Sequence, residues 1–101
     1  MNHLVSYDIS NNRLRLKVAR CLKRAGCLRL QYSVFAGSLR ESTVKELLRD
    51  IGEFERDAAW SAEDSILVLP LHQYSRDQLQ IFGVLPPDWD LIQGDLHTLV
   101  L

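Results

Sequence analysis

The sequence predicts an α+β domain in which two helices cover one face of an antiparallel sheet, as in the ferredoxin-like βαββαβ sandwich. Two observations favour this fold. Strand-like and helix-like segments alternate in the order β–α–β–(β)–α–β, and 101 residues suit a single domain. We expect residues 1–101 to form one domain, because the sequence has no internal repeat and no composition shift typical of a linker.

The first strand is predicted over residues 3–9. Val5, Tyr7 and Ile9 alternate with residues of the opposite side, as expected for a strand with one buried face. Asp8 belongs to the opposite side and falls near the end of this strand, which we expect to be central in the sheet.

The first helix is predicted over residues 13–25. Residues 10–12 are Ser-Asn-Asn and supply turn and N-cap chemistry before it, and Gly26 follows as a stop. Apolar residues recur at helical spacing and define its buried face. These residues are Leu14, Val18, Cys21, Leu22 and Ala25.

Further strands are predicted from apolar and alternating segments. Residues 28–39 are too long for one ordinary strand, so we expect a bend or a second strand near 33–37. Residues 65–71 are apolar on both faces and need a covering layer on each side, which helices and a second subunit would supply. Residues 80–85 are a further strand candidate, and 96–101 form an additional C-terminal strand.

The second helix is predicted to begin at Ser42 or Thr43 and to end near Phe54. Thr43 and Glu46 have the spacing of a capping box, which favours a helix start at Thr43. Four residues are expected to face the core: Val44, Leu47, Leu48 and Ile51.

Charge is distributed unevenly between the two halves of the chain. Residues 1–50 hold ten Lys and Arg against four Asp and Glu, whereas residues 51–101 hold two against nine. The first half therefore carries +6 and the second −7, which together give the net charge of −1. A local block with seven basic and no acidic residues between Arg13 and Arg29 points to a nucleic-acid partner.

The basic block lies mostly on the first predicted helix. Arg13 and Arg15 fall in its first turn, where the helix dipole disfavours cations unless an anion such as phosphate approaches. The alternative is a solvated face, partly paired with Asp8. Asp8 itself has two interpretations, because a carboxylate at a strand end is costly unless it is paired or bound to a metal. It either caps a helix or forms a salt bridge, or it binds a metal.

Other candidate sites are weaker. Cys21 and Cys27 fit neither a metal knuckle nor a disulfide framework, and we expect Cys21 to pack in the core. The three histidines show no metal-ligand spacing. No apolar run approaches the roughly 18 residues of a membrane span, and residues 1–9 are too short and polar for a signal peptide. We therefore expect a cytoplasmic protein with no membrane partner.

Several sequence blocks, at matching spacing, resemble the CRISPR-associated Cas-two family, and the resemblance extends over residues 3–71. The blocks are Tyr7-Asp8-Ile9-Ser10, Val18-Ala19, Gly26, Arg29-Leu30-Gln31-Tyr32-Ser33-Val34-Phe35-Ala36-Gly37, and Asp64-Ser65-Ile66 through Pro70-Leu71. The first and fourth blocks are specific in combination.

The resemblance implies a ferredoxin-like homodimer in which residues 96–101 add a strand to the partner subunit's sheet. It implies a CRISPR adaptation protein that acts as a Mg2+-dependent endonuclease on RNA or double-stranded DNA. It also implies the alternative of a non-catalytic DNA-binding scaffold that works with a CRISPR integrase subunit in spacer acquisition. A third interpretation is an interaction module with neither activity.

The resemblance also assigns roles to individual residues. Asp8 matches the catalytic, metal-binding aspartate, and we expect the two Asp8 side chains of a dimer to share one Mg2+ ion. Arg15, Arg29 and Phe35 match positions needed for nuclease activity, whereas Lys17 stands where relatives carry Arg. The expected nucleic-acid-binding residues are Arg13, Arg15, Lys17, Arg20, Arg24 and Arg29. The expected supporting residues are Tyr7, Ser33 and Phe35.

Overall fold

A computed structural model describes residues 2–72 and 78–92 of the chain. Within these residues, four strands and two helices follow one another along the sequence. They are β1 (Asn2–Asp8), α1 (Asn12–Arg24), β2 (Leu28–Gln31), β3 (Val34–Ser38), α2 (Glu41–Glu55) and β4 (Ser65–Leu71).

The strands form one sheet in the order β2-β3-β1-β4, and every neighbouring pair is antiparallel. This is the order of a ferredoxin-like fold, so the predicted α+β class and βαββαβ arrangement are confirmed. The additional strand predicted over residues 96–101 lies outside the described residues, and the homodimer stays a prediction. Within the described residues, no helix is long and apolar enough to cross a membrane.

Strand β1 lies in the interior of the sheet, between β3 and β4. Its alternation is the predicted one, because Val5 and Tyr7 are buried, Ile9 just beyond the strand is also buried, and Asp8 is exposed. The buried side meets both helices and forms the core. The largest fully buried side chains of this core are Phe35, Leu14, Leu22, Val5 and Val18.

Helix α1 begins and ends close to the predicted positions. Asn11 is its N-cap, and the Asn11 side-chain oxygen accepts a hydrogen bond of 2.9 Å from the Leu14 amide. Gly26 follows the helix at a φ of 101°, a left-handed conformation that glycine adopts without steric cost. These two residues therefore fix where α1 begins after β1 and where it ends before β2.

The long β-like segment over residues 28–39 is two strands, as the prediction of a bend required. Tyr32 and Ser33 form the turn between β2 and β3, and the register shifts between Arg29 and Gln31. The shift is a local irregularity in the ladder. It places Arg29 opposite Phe35 and Gln31 opposite Val34.

The predicted cap of α2 is wrong. The helix begins at Glu41 and its N-cap is Arg40, which makes no side-chain capping bond. Ser42 and Thr43 therefore lie inside the first turn, and the Thr43–Glu46 spacing has no capping function. Glu41 in the first turn instead complements the helix dipole.

The predicted inner face of α2 is also wrong at one position. Leu47 is buried and Val44 and Ile51 pack against the core, but Leu48 is 49% exposed. Leu48 is one position round the helix from Leu47, and the stripe that meets the sheet is too narrow to include it.

Strand β4 is buried on one side only within the described chain. Ile66 and Val68 pack against the core, whereas Leu67 and Leu69 are 60% and 47% exposed. The predicted cover from a second subunit stays a prediction. We call the sheet side that carries Leu67 and Leu69 the open face.

Residues 80–85 are not a strand, contrary to the prediction. Gly83 has a φ of 96°, which is incompatible with a regular strand, and the Pro86-Pro87 pair follows. Residues 79–82 instead line a cavity with Leu4 and Val34. Residues 89–92 are helical, and Ile92 is buried.

Candidate nucleic-acid interface

Asp8 is the last residue of β1 and lies at an exposed end of this interior strand. It pairs in register with Ser65 of β4. Within the described residues, the Asp8 carboxylate has neither a hydrogen-bond donor nor a cation as partner. Because an exposed, unpaired carboxylate keeps all its acceptor positions free, Asp8 is available to a cation or a solvent-borne ligand. Among residues 2–72 and 78–92, Asp8 makes neither the capping bond nor the salt bridge of the predicted alternative.

Arg15 holds the connection that follows Asp8. Its Nη1 donates to the Ile9 carbonyl at 3.1 Å, and its Nη2 donates to the Asn12 side-chain oxygen at 2.7 Å. The Arg15 Nε is buried and has no partner within the described chain. Arg15 thus joins the end of β1 to the first turn of α1, and its charge lies beside the backbone of the residue next to Asp8.

Arg29 lies between two aromatic rings. Its guanidinium carbon is 4.9 Å from the centroid of Phe35 and 5.9 Å from that of Tyr32. Arg15 approaches the same Tyr32 ring at 5.7 Å. These separations fall within the range of cation–π attraction, which explains how guanidinium groups with buried, unpartnered Nε atoms are tolerated here.

The buried Tyr7 contacts the two aromatic residues that neighbour Arg29. Its ring stacks on Phe35 with centroids 6.2 Å apart, and its hydroxyl donates to the Tyr32 carbonyl at 3.4 Å. The Tyr7 amide donates to the Ser33 carbonyl at 3.0 Å. Tyr7 and Ser33 therefore fix the β2–β3 turn against β1. We call Tyr7, Arg15, Arg29, Tyr32 and Phe35 the arginine–aromatic cluster.

The remaining predicted nucleic-acid-binding residues lie elsewhere, along the side of α1 that faces α2. Lys17 forms an ion pair of 3.8 Å with Asp57. Lys17, Arg20 and Arg24 line one groove together with the acidic residues Asp50 and Glu53. The hydrogen bond from the Ala59 amide is the main reason that the pKa of Asp57 is lowered, and the charges of Lys17 and Arg13 add to it.

The predicted basic block is therefore divided into two groups. We call Arg13, Lys17, Arg20 and Arg24 the α2-side cations, and acidic groups of α2 and the following loop partly offset their charge. Arg15 and Arg29 form no ion pair with any described residue, so their positive charge is unopposed. Arg13, Arg20 and Arg24 likewise form no ion pair with a described residue, so the two groups differ in the acidic side chains that surround the α2-side cations.

Asp64 connects the loop after β1 to the start of β4. Its Oδ2 accepts from the Ser61 amide at 2.9 Å, and its Oδ1 accepts from the Ser10 amide and hydroxyl, each at 3.1 Å. The Ser61 bond is the main reason that the pKa of Asp64 is lowered, and the Ser10 bonds add to it. This clamp holds the loop beside Asp8.

Sequence reasoning missed the roles of Asp64 and Tyr32. Asp64 stood out only as part of a family block, and no local pattern links it to Ser10 across 54 positions. Tyr32 had a visible signal, because it is an aromatic residue in a polar turn with Arg29 three positions before it.

Cys21 packs against the core, as predicted, but it is only half-buried. Its thiol lies 3.7 Å from Asp50 and also lines the groove between the helices. Burial and the Asp50 charge raise the pKa of Cys21. Cys27 is the buried cysteine, and burial raises its pKa to about 11. Within the described residues, no group of three or more His, Cys, Asp and Glu side chains is arranged to hold a metal.

Comparison with known proteins adds independent evidence. The model of the CRISPR associated protein Cas2 family matches residues 1–79. A CRISPR-associated endoribonuclease Cas2 of Archaeoglobus fulgidus is 41% identical over 73 residues, which are 72% of this chain and 73% of that protein. One of Synechocystis is 38% identical over 90 residues, which are 85% of this chain and 92% of the relative.

Solved structures agree with these matches. A hypothetical protein of Thermus thermophilus superposes with a TM-score of 0.67 at 28% identity, covering 84% of this chain and 93% of the other. Cas2 of Streptococcus pyogenes has a TM-score of 0.64 at 22% identity, which supports the fold alone. Family model, sequence relatives and fold converge, and this chain belongs to the CRISPR associated protein Cas2 family.

Proposed function

We propose that this chain is a metal-dependent endonuclease that cleaves phosphodiester bonds in RNA or double-stranded DNA and takes part in CRISPR spacer acquisition. One observation carries the proposal. The exposed carboxylate of Asp8, which has no partner among the described residues, ends an interior strand, and Arg15 binds the backbone carbonyl of the very next residue. A cation is therefore held at the same end of β1 as this acid, which suits the handling of a phosphate chain, because cations attract the substrate that the acid would help to cleave.

The relatives favour RNA as one substrate. The proteins of Archaeoglobus fulgidus and Synechocystis are both called CRISPR-associated endoribonucleases, and the matched region includes Asp8, Arg15 and Arg29. Cleavage of double-stranded DNA and a part in spacer acquisition are the further elements of the proposal.

The Asp8 carboxylate suits Mg2+ as a ligand. Mg2+ prefers oxygen donors, keeps several waters and is usually held by one or two carboxylates. One protomer supplies one such carboxylate, and two copies of Asp8 in a homodimer would supply the pair. When bound, the ion would activate a water and stabilise developing charge on the phosphate.

The open face is the surface on which a second copy would bring the two Asp8 residues together. Residues directly opposite each other in an antiparallel pair share one side of the sheet. Asp8 faces Ser65, and on the same side Ser6 and Leu4 face the exposed Leu67 and Leu69. This side is apolar beside Asp8, and covering it with a second copy would remove exposed leucine side chains from water.

The other residues have positioning or binding roles in this proposal. Arg29 holds a substrate phosphate, because within the described chain its guanidinium has no carboxylate and no hydrogen-bond acceptor. Arg15 keeps the Asp8 backbone in place through Ile9. Tyr7 and Phe35 are buried and act by orienting Arg29 and the β2–β3 turn.

The test is a cleavage assay with labelled RNA and labelled duplex DNA, each with and without Mg2+. We expect wild-type protein to cleave at least one substrate only with Mg2+, and Asp8→Asn to leave cleavage at the level of the protein-free control. Asn keeps the size of the side chain and removes the charge that a cation needs. Glu63→Gln is the matched control, because Glu63 is another exposed acid in the loop held by Asp64. Undiminished cleavage by Asp8→Asn would remove Asp8 from the chemistry.

A second candidate function is a non-catalytic DNA-binding scaffold for a CRISPR integrase subunit. The observation in its favour is that, within the described residues, Arg15 and Arg29 both lack an ion pair, whereas Asp8 is the one carboxylate proposed as a metal ligand. A scaffold would bind duplex DNA and co-elute with the integrase subunit equally well as wild type and as Asp8→Asn. If neither protein cleaves any substrate while both bind DNA, the scaffold is the function.

A further inference from the structure

Tyr32 combines high exposure with a fixed position. The side chain is at the β2–β3 turn and is 69% exposed, although aromatic rings are usually buried when a core is available. Its backbone carbonyl accepts the Tyr7 hydroxyl bond at 3.4 Å. Arg15 and Arg29 flank the ring at 5.7 and 5.9 Å from its centroid. The ring is thus presented to solvent on a framework anchored in the core.

The flanking distances leave room on the ring. A group stacked face to face on a ring lies about 3.5–4.0 Å away, the contact distance of carbon atoms. Both guanidinium carbons are farther from the Tyr32 centroid than that. Most of the ring surface therefore stays accessible, while the two cations set a positive field around it.

The same arrangement has the two elements that unpaired nucleotides need. Proteins that bind single strands combine cations for the backbone with aromatic rings on which bases stack. Here Arg29 lies between the buried Phe35 and the exposed Tyr32, so one side chain bridges the core and the exposed ring. A nucleotide whose phosphate contacts Arg29 would have its base within reach of Tyr32.

We infer that Tyr32 is a stacking platform for an unpaired base of single-stranded nucleic acid, next to the phosphate bound by Arg29. The inference rests on the proposed function and goes beyond it by naming the base contact. It also gives a preference, since a base inside a duplex is already stacked on its neighbours and offers Tyr32 no free face.

The experiment measures binding without cleavage, by fluorescence anisotropy in the absence of Mg2+ and at fixed salt. Three labelled probes are used: a single-stranded RNA 12-mer, the same 12-mer with abasic nucleotides, and a blunt duplex. The variants are Tyr32→Ala, Tyr32→Phe and, as a control, Leu48→Ala. Leu48 is 49% exposed on α2, outside the arginine–aromatic cluster and away from the open face.

Stacking of one base is worth about 1–3 kcal/mol, so Tyr32→Ala is expected to weaken binding of the intact 12-mer about 5- to 150-fold. Tyr32→Phe keeps the ring and is expected to bind like wild type, as is Leu48→Ala. On the abasic 12-mer and the duplex, Tyr32→Ala and wild type are expected to bind equally. Circular dichroism melts of each variant establish that the fold is retained.

Two results overturn the inference alone. In one, Tyr32→Ala binds the intact 12-mer as tightly as wild type. In the other, it loses the same factor on the intact and the abasic strand, which would mean that Tyr32 only supports the arginines. If wild-type protein binds none of the three probes even at low salt, the proposed nucleic-acid function fails, and the stacking role fails with it.

Discussion

Phe35 offers the sharpest separation of stability from activity. The resemblance aligns it with a position needed for nuclease activity, yet its side chain is fully buried in the core. A side chain without exposed surface does not contact a substrate. We therefore predict that Phe35→Leu acts on the free energy of unfolding and on the position of Arg29, rather than on a contact with nucleic acid.

The size of the effect follows from the contacts of the ring. The stacked pair with Tyr7 is worth roughly 0.5–1.5 kcal/mol and the cation–π contact with Arg29 roughly 0.5–1 kcal/mol. An imperfect fit of Leu in the same space adds less than about 1.5 kcal/mol. The sum is about 1–4 kcal/mol, a large share of the roughly 5–15 kcal/mol that stabilises a small domain.

The assays are urea unfolding and thermal unfolding, each followed by tryptophan fluorescence, because Trp60 packs against the core and reports its loss. At about 4–8 °C per kcal/mol for a domain of this size, the melting temperature is expected to fall by about 4–32 °C. Leu48→Ala, at an exposed position of α2, is the control and is expected to stay within roughly 0.5 kcal/mol of wild type.

Activity is then measured at a temperature at which Phe35→Leu is folded. We expect partial activity there, because the charge of Arg29 remains while one of its two aromatic neighbours is lost. The reasoning is refuted if Phe35→Leu is as stable as wild type, or if it is inactive with an unchanged melting temperature. The first result would mean that the ring contacts do not stabilise the fold, and the second that Phe35 acts in the chemistry by a route that its burial does not allow.

Two further predictions concern charge. Because the folded pKa of Asp64 is lowered, its carboxylate stabilises the fold above the ordinary value of 3.8, and this contribution is lost as the pH falls through the folded pKa. Asp64→Asn should therefore have a lower free energy of unfolding than wild type at pH 7, and this difference should shrink below pH 3.8. A difference in free energy of unfolding that is constant with pH would contradict this. Arg29→Ala should weaken binding of all nucleic-acid sequences similarly and should reduce the slope of log binding constant against log salt concentration by about one. Lys17→Ala should reduce this slope less, because Asp57 already pairs with Lys17. Equal slopes for the two variants, measured by anisotropy over a salt series, would show that the division of the cations has no consequence for binding.

Much of the fold is predictable because its signals are local. The alternation over residues 3–9 corresponds to the observed β1. The asparagine before α1 and the glycine after it correspond to the observed ends of that helix. The failures are also physical. Thr43 and Glu46 have the spacing of a capping box, but the helix begins earlier, at Glu41. The spacing of two residues does not depend on how the helix packs against the sheet, so it did not predict this start. Residues 80–85 have strand-like composition, but the conformation of Gly83 breaks the strand.

The candidate site is predictable only in part. Asp8 at the end of a central strand follows from hydrophobic pattern, and its role follows from the family resemblance. The helical pattern places Arg13, Lys17, Arg20 and Arg24 on one stripe, but it does not reveal that this stripe faces the acidic residues of α2. Arg15 and Arg29 both approach Tyr32 because α1 packs beside the β2–β3 turn. This packing is a tertiary contact that no local sequence pattern predicts.

The interior position of β1 has a consequence for how firmly the two ends of the site are held. A strand bonded on both edges exchanges its amide hydrogens only when the sheet opens, and β1 is paired on both edges as far as Ser6. Asp8 follows two residues later and is still paired with Ser65 of β4, while Tyr32 is tied to the same strand through the Tyr7 hydroxyl. Both ends of the site thus depend on one strand, and heating should release them only as the sheet opens.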